Sequence, residues 1–151
     1  MRPALAAFAA FCLAASGLSA QEAPDPYTVS FGVDRESFDE TGITALTLAA
    51  RDISLGGAGA VLVEGHTDTQ ADADYNLALS DRRARVIRNE LIARGVAPPT
   101  ITITPLGQEQ LAVATGDGVA EAANRRVTMT LADFGAFEAP DPLRPYAFRL
   151  P

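Results

Sequence analysis

Apolar and polar residues alternate with two different periods along the first half of the chain. Residues 29–33 alternate with a period of two, which predicts a half-buried strand. Residues 39–54 carry apolar side chains at helical spacing, and Asp39 or Thr41 is a suitable N-cap for a helix there. Residues 61–63 (VLV) are apolar on both faces of a strand, so this second strand is predicted to lie at the centre of a sheet.

The second half of the chain repeats this succession of strand and helix. After a polar loop at 67–72, a long helix is predicted over residues 73–94, with Gly95 as its C-terminal stop. Two further strands are predicted at 100–104 and 127–131, because apolar residues and threonines alternate in both. The long helix places one stripe of residues toward the core: Ser80, Ala84, Ile87 and Leu91.

These elements predict an α/β chain of the α+β two-layer sandwich type. The order is β-α-β-α-β-β, with a four-stranded mixed sheet and the two main helices on one face, because each helix has a single apolar stripe. The domain is expected to span residues 27–133. Residues 21–26, with two prolines, are interpreted as a linker, and residues 134–151, with four prolines and four aromatic residues, as an irregular tail.

The N-terminus has the three parts of a secretory signal peptide. Residues 1–20 combine a positively charged start, an apolar stretch and a short end of small residues. Cleavage is predicted after Ala20, with cleavage after Gly17 and an uncleaved anchor as alternatives. Phe11 precedes Cys12, which does not fit a lipoprotein signal, because a small residue is needed before a lipid-accepting cysteine. The mature chain is therefore expected to be exported.

Composition narrows the possible functions. The 151 residues carry a net charge of −7, and all 12 basic residues are arginines. Removing the predicted signal peptide leaves 11 arginines, 19 acidic residues and no cysteine, so the net charge becomes −8. An acidic domain does not favour nucleic-acid binding. Outside the signal peptide, no uninterrupted apolar run has the length of a membrane span, so the mature chain is expected to have no transmembrane segment.

The sequence offers little for catalysis or for a metal. His66 is the single histidine, and although Asp68 stands two residues away, a third metal ligand is not evident. Ser80 is not in a Gly-x-Ser-x-Gly elbow, and a serine on the core stripe of a helix is the better interpretation. Residues 116–118 (GDG) are interpreted as a turn. We therefore predict no enzyme activity, no metal and no cofactor.

Arginines are concentrated in two segments, residues 82–88 and Arg125-Arg126. Such clusters usually form a solvated surface that neighbouring acidic residues balance. Arg83 differs, because it directly precedes the predicted core residue Ala84. Its side chain can point toward the sheet edge from which the loop at Thr67 and Asp68 emerges.

Four short motifs follow one another along the chain, at residues 64–69 (EGHTDT), 75–76 (YN), 79–84 (LSDRRA) and 124–127 (NRRV). Together they closely resemble the OmpA-like peptidoglycan-binding domain. That family has, in the same order, a Thr-Asp after a strand, a Tyr-Asn, a Leu-Ser-x-x-Arg-Ala on the next helix and an Asn-Arg-Arg-Val that opens the last strand. The resemblance covers residues 27–133. No single motif is decisive, but the set is specific.

The resemblance implies non-covalent binding of peptidoglycan through the diaminopimelate of its stem peptide. In that family, the residues that match Asp68 and Arg83 hold the diaminopimelate. Asn76 and Arg125 match secondary contacts, and Thr67 is expected to shape the loop. The residue types suit the ligand, since a carboxylate accepts from an ammonium and a guanidinium grips a carboxylate through two hydrogen bonds. Peptidoglycan is thus the expected partner.

Two residues depart from the family pattern. Ala71 stands where the family often has glycine, and Glu121 replaces an arginine. These departures favour an alternative, in which the same fold is a periplasmic protein–protein adaptor with weakened or lost peptidoglycan binding. A small secreted hydrolase is a third alternative, but the sequence does not offer the nucleophile–base pair that it needs. A link to the outer membrane would require an envelope protein partner, for which residues 134–151 are a candidate contact.

Overall fold

A computed structural model describes residues 26–57 and 59–132. The predicted signal peptide, nearly all of the predicted linker and the tail at 134–151 lie outside these residues. The order of the main elements confirms the predicted β-α-β-α-β-β succession. They are β1 (Tyr27–Ser30), α1 (Glu40–Asp52), β2 (Ala60–His66), α2 (Ala73–Ala93), β3 (Ile101–Gly107) and β4 (Arg126–Ala132).

The four strands form one mixed sheet in the order β1-β4-β2-β3. β2 runs parallel to β3 and antiparallel to β4, and β1 pairs antiparallel with β4. In this register Val63 lies opposite Met129 on one side and Ile103 on the other. β2 is therefore an interior strand, as its apolar sequence predicts, and its carboxyl end lies beside the beginning of β4.

Both helices pack on one face of this sheet, which confirms the predicted two-layer architecture. The core contains every second residue of the strands together with one stripe from each helix. Its fully buried members include Val29, Leu46, Val61, Val63, Ala84, Ile87, Leu91, Val127 and Met129. The predicted stripe of α2 is confirmed in full, since Ser80 is also completely buried.

Two apolar residues of the predicted pattern lie at the surface instead. Val33 is 53% exposed, because β1 already ends at Ser30 and the chain then turns through Asp34, which has a φ of 49°. Ile43 is 47% exposed, because Gly42 occupies the core side of α1. A Cβ atom at Gly42 would lie 2.8 Å from the Val29 side chain, so α1 approaches the sheet closely at this glycine.

A second close approach fixes α2 against β2. A Cβ atom on Gly65 would lie 2.2 Å from the Ser80 carbonyl oxygen, so only glycine fits here without a backbone shift. The Ser80 hydroxyl accepts a hydrogen bond from the Gly107 amide at 3.0 Å, which ties α2 to β3 as well. These contacts hold the first half of α2 over the carboxyl ends of both strands. None of the helices within residues 26–57 and 59–132 combines the length and apolar character that a membrane span requires.

Candidate functional site

A cleft of about 300 Å³ opens where β2 ends. Its walls come from the loop after β1, the loop after β2, the first half of α2 and the start of β4. Four of the five predicted site residues line it: Asp68, Asn76, Arg83 and Arg125. They meet there because β2 and β4 are neighbours in the sheet and α2 crosses over the ends of the strands.

Asp68 is held mainly through one of its two carboxylate oxygens. The residue is only 5% exposed. Its Oδ2 accepts from Arg125 Nη1 at 2.9 Å and from the Glu121 amide at 3.3 Å. Its Oδ1 accepts a longer hydrogen bond, at 3.4 Å, from the Gln70 amide. The carboxylate is thus fixed in place before any ligand arrives, and Oδ1 is its more weakly bonded oxygen.

Arg83 lies fully buried at the cleft and anchors the loop after β1. Its Nε donates to the Arg35 carbonyl at 2.8 Å, and its Nη2 donates to the Gly32 carbonyl at 2.9 Å. Its Nη1 lies 3.5 Å from the His66 carbonyl oxygen, and the guanidinium stacks 5.1 Å from the Phe31 ring centre. Burial lowers the pKa of Arg83 to about 10, so the side chain stays cationic at neutral pH. Arg83 is therefore structural as well as cleft-lining.

Asn76 shapes the loop that carries Asp68. Its Nδ2 lies 3.1 Å from the Asp68 carbonyl oxygen and 3.0 Å from that of Ala71, and it also donates to Gln108 Oε1 at 2.7 Å. A single buried amide thus spans both ends of the loop and ties it to the end of β3. Asn76 thus holds the loop whose shape the sequence analysis ascribes to Thr67.

Thr67 is buried behind the cleft and does not line it. Its amide donates to the Gly107 carbonyl at 2.8 Å, and no described residue bonds to its buried hydroxyl. The next threonine, Thr69, has a larger structural role. Its hydroxyl donates to the Gly116 carbonyl at 2.6 Å and accepts from the Val119 amide at 3.1 Å. Thr69 therefore attaches the turn predicted at 116–118 to the site.

The two departures from the family pattern differ in position. Ala71 lines the cleft. The Glu121 side chain does not, because its Oε1 accepts from the Ala123 amide at 3.0 Å and caps the short helix Ala122–Asn124. Only the Glu121 backbone contacts Asp68. The Glu121 carboxylate, which reverses the charge that the family often has at this position, therefore caps this short helix.

The sequence motifs missed several residues of the cleft. The most informative is Asp34, which accepts a hydrogen bond from the Tyr75 hydroxyl across the cleft mouth. Arg82 lies 5.9 Å from the centre of the Tyr75 ring and pairs with Glu36 at 2.7 Å. The alternation at residues 29–33 predicts a strand where the loop before Asp34 lies. A strand that ends at Ser30 would have indicated that Asp34 can reach the cleft. Val33 and Gln70 also lie outside the motifs, and Leu79 belongs to a motif but is not among the predicted site residues.

The cleft combines two carboxylates with two guanidiniums. Asp34 and Asp68 supply the negative charges, and Arg83 and Arg125 the positive ones. Within the described ranges, no three His, Cys, Asp or Glu residues are grouped so that they could hold a metal ion. His66 is buried with its Nδ1 3.1 Å from the Gln110 carbonyl oxygen, and burial lowers its pKa to about 4. The arrangement suits non-covalent binding of a small group that carries both charges.

The structure is a small α+β domain with a charged cleft at one edge of its sheet. The sequence profile of the OmpA family matches residues 30–125, and the chain belongs to that family. It is 36% identical over 103 residues to the peptidoglycan-associated lipoprotein of Pseudomonas aeruginosa, a match that covers 68% of this chain and 60% of that protein. It is 33% identical over 114 residues to the protein of the same name from Pasteurella multocida, a match that covers 75% of this chain and 76% of that protein.

Two solved structures resemble this chain. The peptidoglycan-associated lipoprotein from Burkholderia pseudomallei superposes with a TM-score of 0.63 at 28% identity, over 69% of this chain and 88% of that one. The C-terminal domain of Helicobacter pylori MotB superposes with a TM-score of 0.58 over 72% and 84% of the two chains. At 18% identity, the MotB comparison supports the fold alone.

Proposed function

We propose that this chain is a peptidoglycan-binding module of the bacterial envelope and that its cleft holds the diaminopimelate of a stem peptide. The observation that carries the proposal is the buried Asp68 carboxylate beside two cleft-lining arginines, Arg83 and Arg125. The names of the relatives in Pseudomonas and Pasteurella, which describe peptidoglycan-associated proteins, support the same ligand.

The chemistry of the ligand matches the charges of the cleft. The free end of diaminopimelate presents an ammonium and a carboxylate on one carbon. In the proposed complex the ammonium donates to Asp68 Oδ1, the less strongly bonded oxygen, and the carboxylate lies toward the guanidiniums of Arg83 and Arg125. Charge-assisted hydrogen bonds contribute about 1.5–3 kcal/mol each, so three of them supply about 4.5–9 kcal/mol toward the roughly 8 kcal/mol of micromolar binding.

Preorganisation adds to this affinity. Arg125 is fixed by Asp68 at 2.9 Å and by the Phe31 carbonyl at 3.3 Å, and Arg83 is fixed by backbone carbonyls. Side chains that are already immobile lose little conformational entropy when a ligand binds. The cleft therefore selects a ligand whose two charges match the positions that the fold sets.

The proposed role is binding rather than catalysis. With the predicted export signal at residues 1–20, the module would act in the periplasm, associated with the cell wall and peripherally with the outer membrane. The adaptor alternative rests in part on the charge reversal at Glu121. Because that carboxylate caps a short helix instead of lining the cleft, it supplies no argument that the site has lost its ligand.

Co-sedimentation with insoluble peptidoglycan of the diaminopimelate type tests the proposal. The protein without residues 1–20 is compared with Asp68→Asn and with Asp74→Asn, which removes the same charge from an exposed position on α2. We expect the parent and Asp74→Asn to sediment, and Asp68→Asn to stay in solution while its circular dichroism is unchanged. A parent that does not sediment, or an Asp68→Asn variant that sediments equally, would contradict the proposal.

A further inference from the structure

One carboxylate oxygen of the cleft is bonded from both ends of a single tight turn. Residues 121–125, named here the 121–125 turn, consist of the short helix Ala122–Asn124 and its two flanking residues. The Glu121 amide at the beginning and the Arg125 guanidinium at the end both donate to Asp68 Oδ2, at 3.3 Å and 2.9 Å. The direction in which the carboxylate presents its other oxygen, Oδ1, therefore depends on where this turn lies.

Asn124 lies between these two donors and is completely buried. Its Oδ1 accepts from the Val113 amide at 2.9 Å, and its Nδ2 donates to the Val113 carbonyl at 2.8 Å. One side-chain amide thus bonds the donor and the acceptor of a single residue, so the turn cannot shift or rotate without breaking at least one of these bonds. Asn124 therefore fixes the turn against the segment that contains Val113.

The segment around Val113 is itself bonded to the sheet and to the loop after β2. Three residues earlier, the Gln110 carbonyl lies 3.1 Å from His66 Nδ1 at the end of β2. On the other side, the Thr69 hydroxyl bonds backbone groups within residues 116–119. Val113 is therefore held in place from both directions along the chain, although the residue is 44% exposed.

The remaining bonds of the 121–125 turn do not replace those of Asn124. Two backbone hydrogen bonds, at 3.2 Å and 3.1 Å, close the turn on itself and do not attach it to another element. Phe31 holds only the last residue of the turn, because its amide donates to the Arg125 carbonyl and its carbonyl accepts from Arg125 Nε. Within the described part of the chain, Asn124 is thus the side chain that attaches the middle of the turn.

We propose that Asn124 is a positioning residue of the ligand site, which fixes the 121–125 turn and thereby sets how Asp68 presents Oδ1 and how Arg125 presents its guanidinium. Because it concerns the same cleft and the same ligand, this role rests on the proposed function. Asn124 does not line the cleft, so it acts on the ligand only through these two side chains. Loss of its amide should weaken binding although no ligand contact is removed.

Isothermal titration calorimetry with a soluble stem peptide that carries diaminopimelate tests this role on the protein without residues 1–20. Asn124→Ala should raise the Kd at least about tenfold, which corresponds to the loss of one charge-assisted contact. Asn89→Ala removes the same amide from an exposed position on α2 and should keep the Kd of the parent. Val61→Ala should also keep it, although it lowers the free energy of unfolding, because Val61 lies in the core at the amino end of β2.

A second variant tests the same contact from its other partner. Val113→Pro removes the amide that donates to Asn124 Oδ1, keeps the asparagine and changes an exposed residue outside the cleft. It should raise the Kd in the same direction as Asn124→Ala. If circular dichroism shows that Asn124→Ala does not fold, Val113→Pro decides the outcome.

An NMR measurement separates positioning from a general loss of stability. The Arg125 Nε–H group is bonded to the Phe31 carbonyl. Its hydrogen exchange should be at least about tenfold faster in Asn124→Ala than in the parent or in Val61→Ala, because only the first variant releases the turn. A purely structural role of Asn124 would leave the exchange at Arg125 alike in the two variants.

Each other outcome overturns the proposal. An Asn124→Ala variant that folds and binds with the Kd of the parent would leave the proposed function standing and refute only the role of Asn124. A raised Kd with unchanged exchange at Arg125 would show that the effect does not pass through the turn. A parent that does not bind the peptide would contradict the proposed function itself, and with it the role of Asn124 in binding.

Discussion

Arg125 Nη1 lies 2.9 Å from Asp68 Oδ2, so the carboxylate that the sequence assigns to a ligand already has a cationic partner within the fold. The two side chains are 14% and 8% exposed, which makes this the most buried of the ion pairs in the described part of the chain. The contact joins the loop after β2 to the start of β4. It therefore serves the shape of the cleft as well as its charge.

Breaking this pair is expected to lower stability as well as binding. Arg125→Gln leaves a buried carboxylate without its cation and should reduce the free energy of unfolding by about 3 kcal/mol. Adding Asp68→Asn to Arg125→Gln should recover part of that loss, because it removes the uncompensated charge. Urea unfolding of the single and double variants measures both effects. Asp81→Asn, which breaks the more exposed Asp81–Arg85 pair, should reduce the free energy of unfolding by less than about 1 kcal/mol. An equal reduction for Arg125→Gln and Asp81→Asn would contradict the stabilising role of the Asp68–Arg125 pair.

Arg83 is expected to be difficult to test by binding alone. Arg83→Met removes the donors to the Arg35 and Gly32 carbonyls and leaves both acceptors short of a partner, so we expect a loss of about 3 kcal/mol or more in the free energy of unfolding. Arg88→Met, further along α2 and only half-buried, should change it by about 0.5 kcal/mol or less. Urea titrations followed by circular dichroism give both values, and similar costs would refute the anchoring role.

Gly65 gives a test of the contact between α2 and β2. In Gly65→Ala the new methyl group meets the Ser80 carbonyl 2.2 Å away, which should cost about 3 kcal/mol and lower the melting temperature by roughly 10 °C. Gly116→Ala is the matched control, because a Cβ atom there meets nothing within 4 Å. Calorimetry of the two variants compares them directly. Equal melting temperatures would mean that the helix does not pack so closely on the strand.

The single histidine predicts a loss of stability in mild acid. His66 has its pKa lowered by burial to about 4 in the folded chain, against an ordinary value near 6.5. Between these values the unfolded chain binds more protons than the folded one, so stability is complete above about pH 6.5 and falls as the pH decreases toward 4. The full change amounts to about 3 kcal/mol.

Comparison with His66→Gln isolates this effect. Burial raises the pKa of the neighbouring Glu64, which acts in the opposite direction but is common to both proteins. The difference in the free energy of unfolding between parent and variant should therefore change between pH 7 and pH 4.5, in the direction that favours the parent at pH 7. A difference that is independent of pH would show that His66 is not kept neutral by the fold.

Much of the fold follows from local patterns in the sequence. The stripe of α2, the N-cap at Asp39 and the interior position of β2 depend on side-chain periodicity and on capping, and all three are confirmed. The end of β1 could not be predicted in this way. The loop that follows β1 is bonded by Arg83, a residue 48 positions beyond Arg35, whose guanidinium donates to the Arg35 carbonyl.

The candidate site shows the same limit. The motifs contain six residues that line the cleft, of which four are predicted as site residues: Asp68, Asn76, Arg83 and Arg125. They do not record pairing, so the Asp68–Arg125 contact and the Asn76 hydrogen bonds to the loop emerge only from the tertiary structure. Asp34 carries no motif of its own and enters the cleft because of a turn with positive φ.

The most direct test of the central claim is the affinity of the mature protein for two soluble stem peptides that differ at one residue. One peptide carries diaminopimelate, and the other carries lysine, which keeps the ammonium but lacks the adjacent carboxylate. Isothermal titration calorimetry should give a micromolar Kd for the first and a value at least about tenfold higher for the second, since one charge-assisted contact to the arginines is lost. Equal affinity for the two peptides, or no binding of either, would contradict the account.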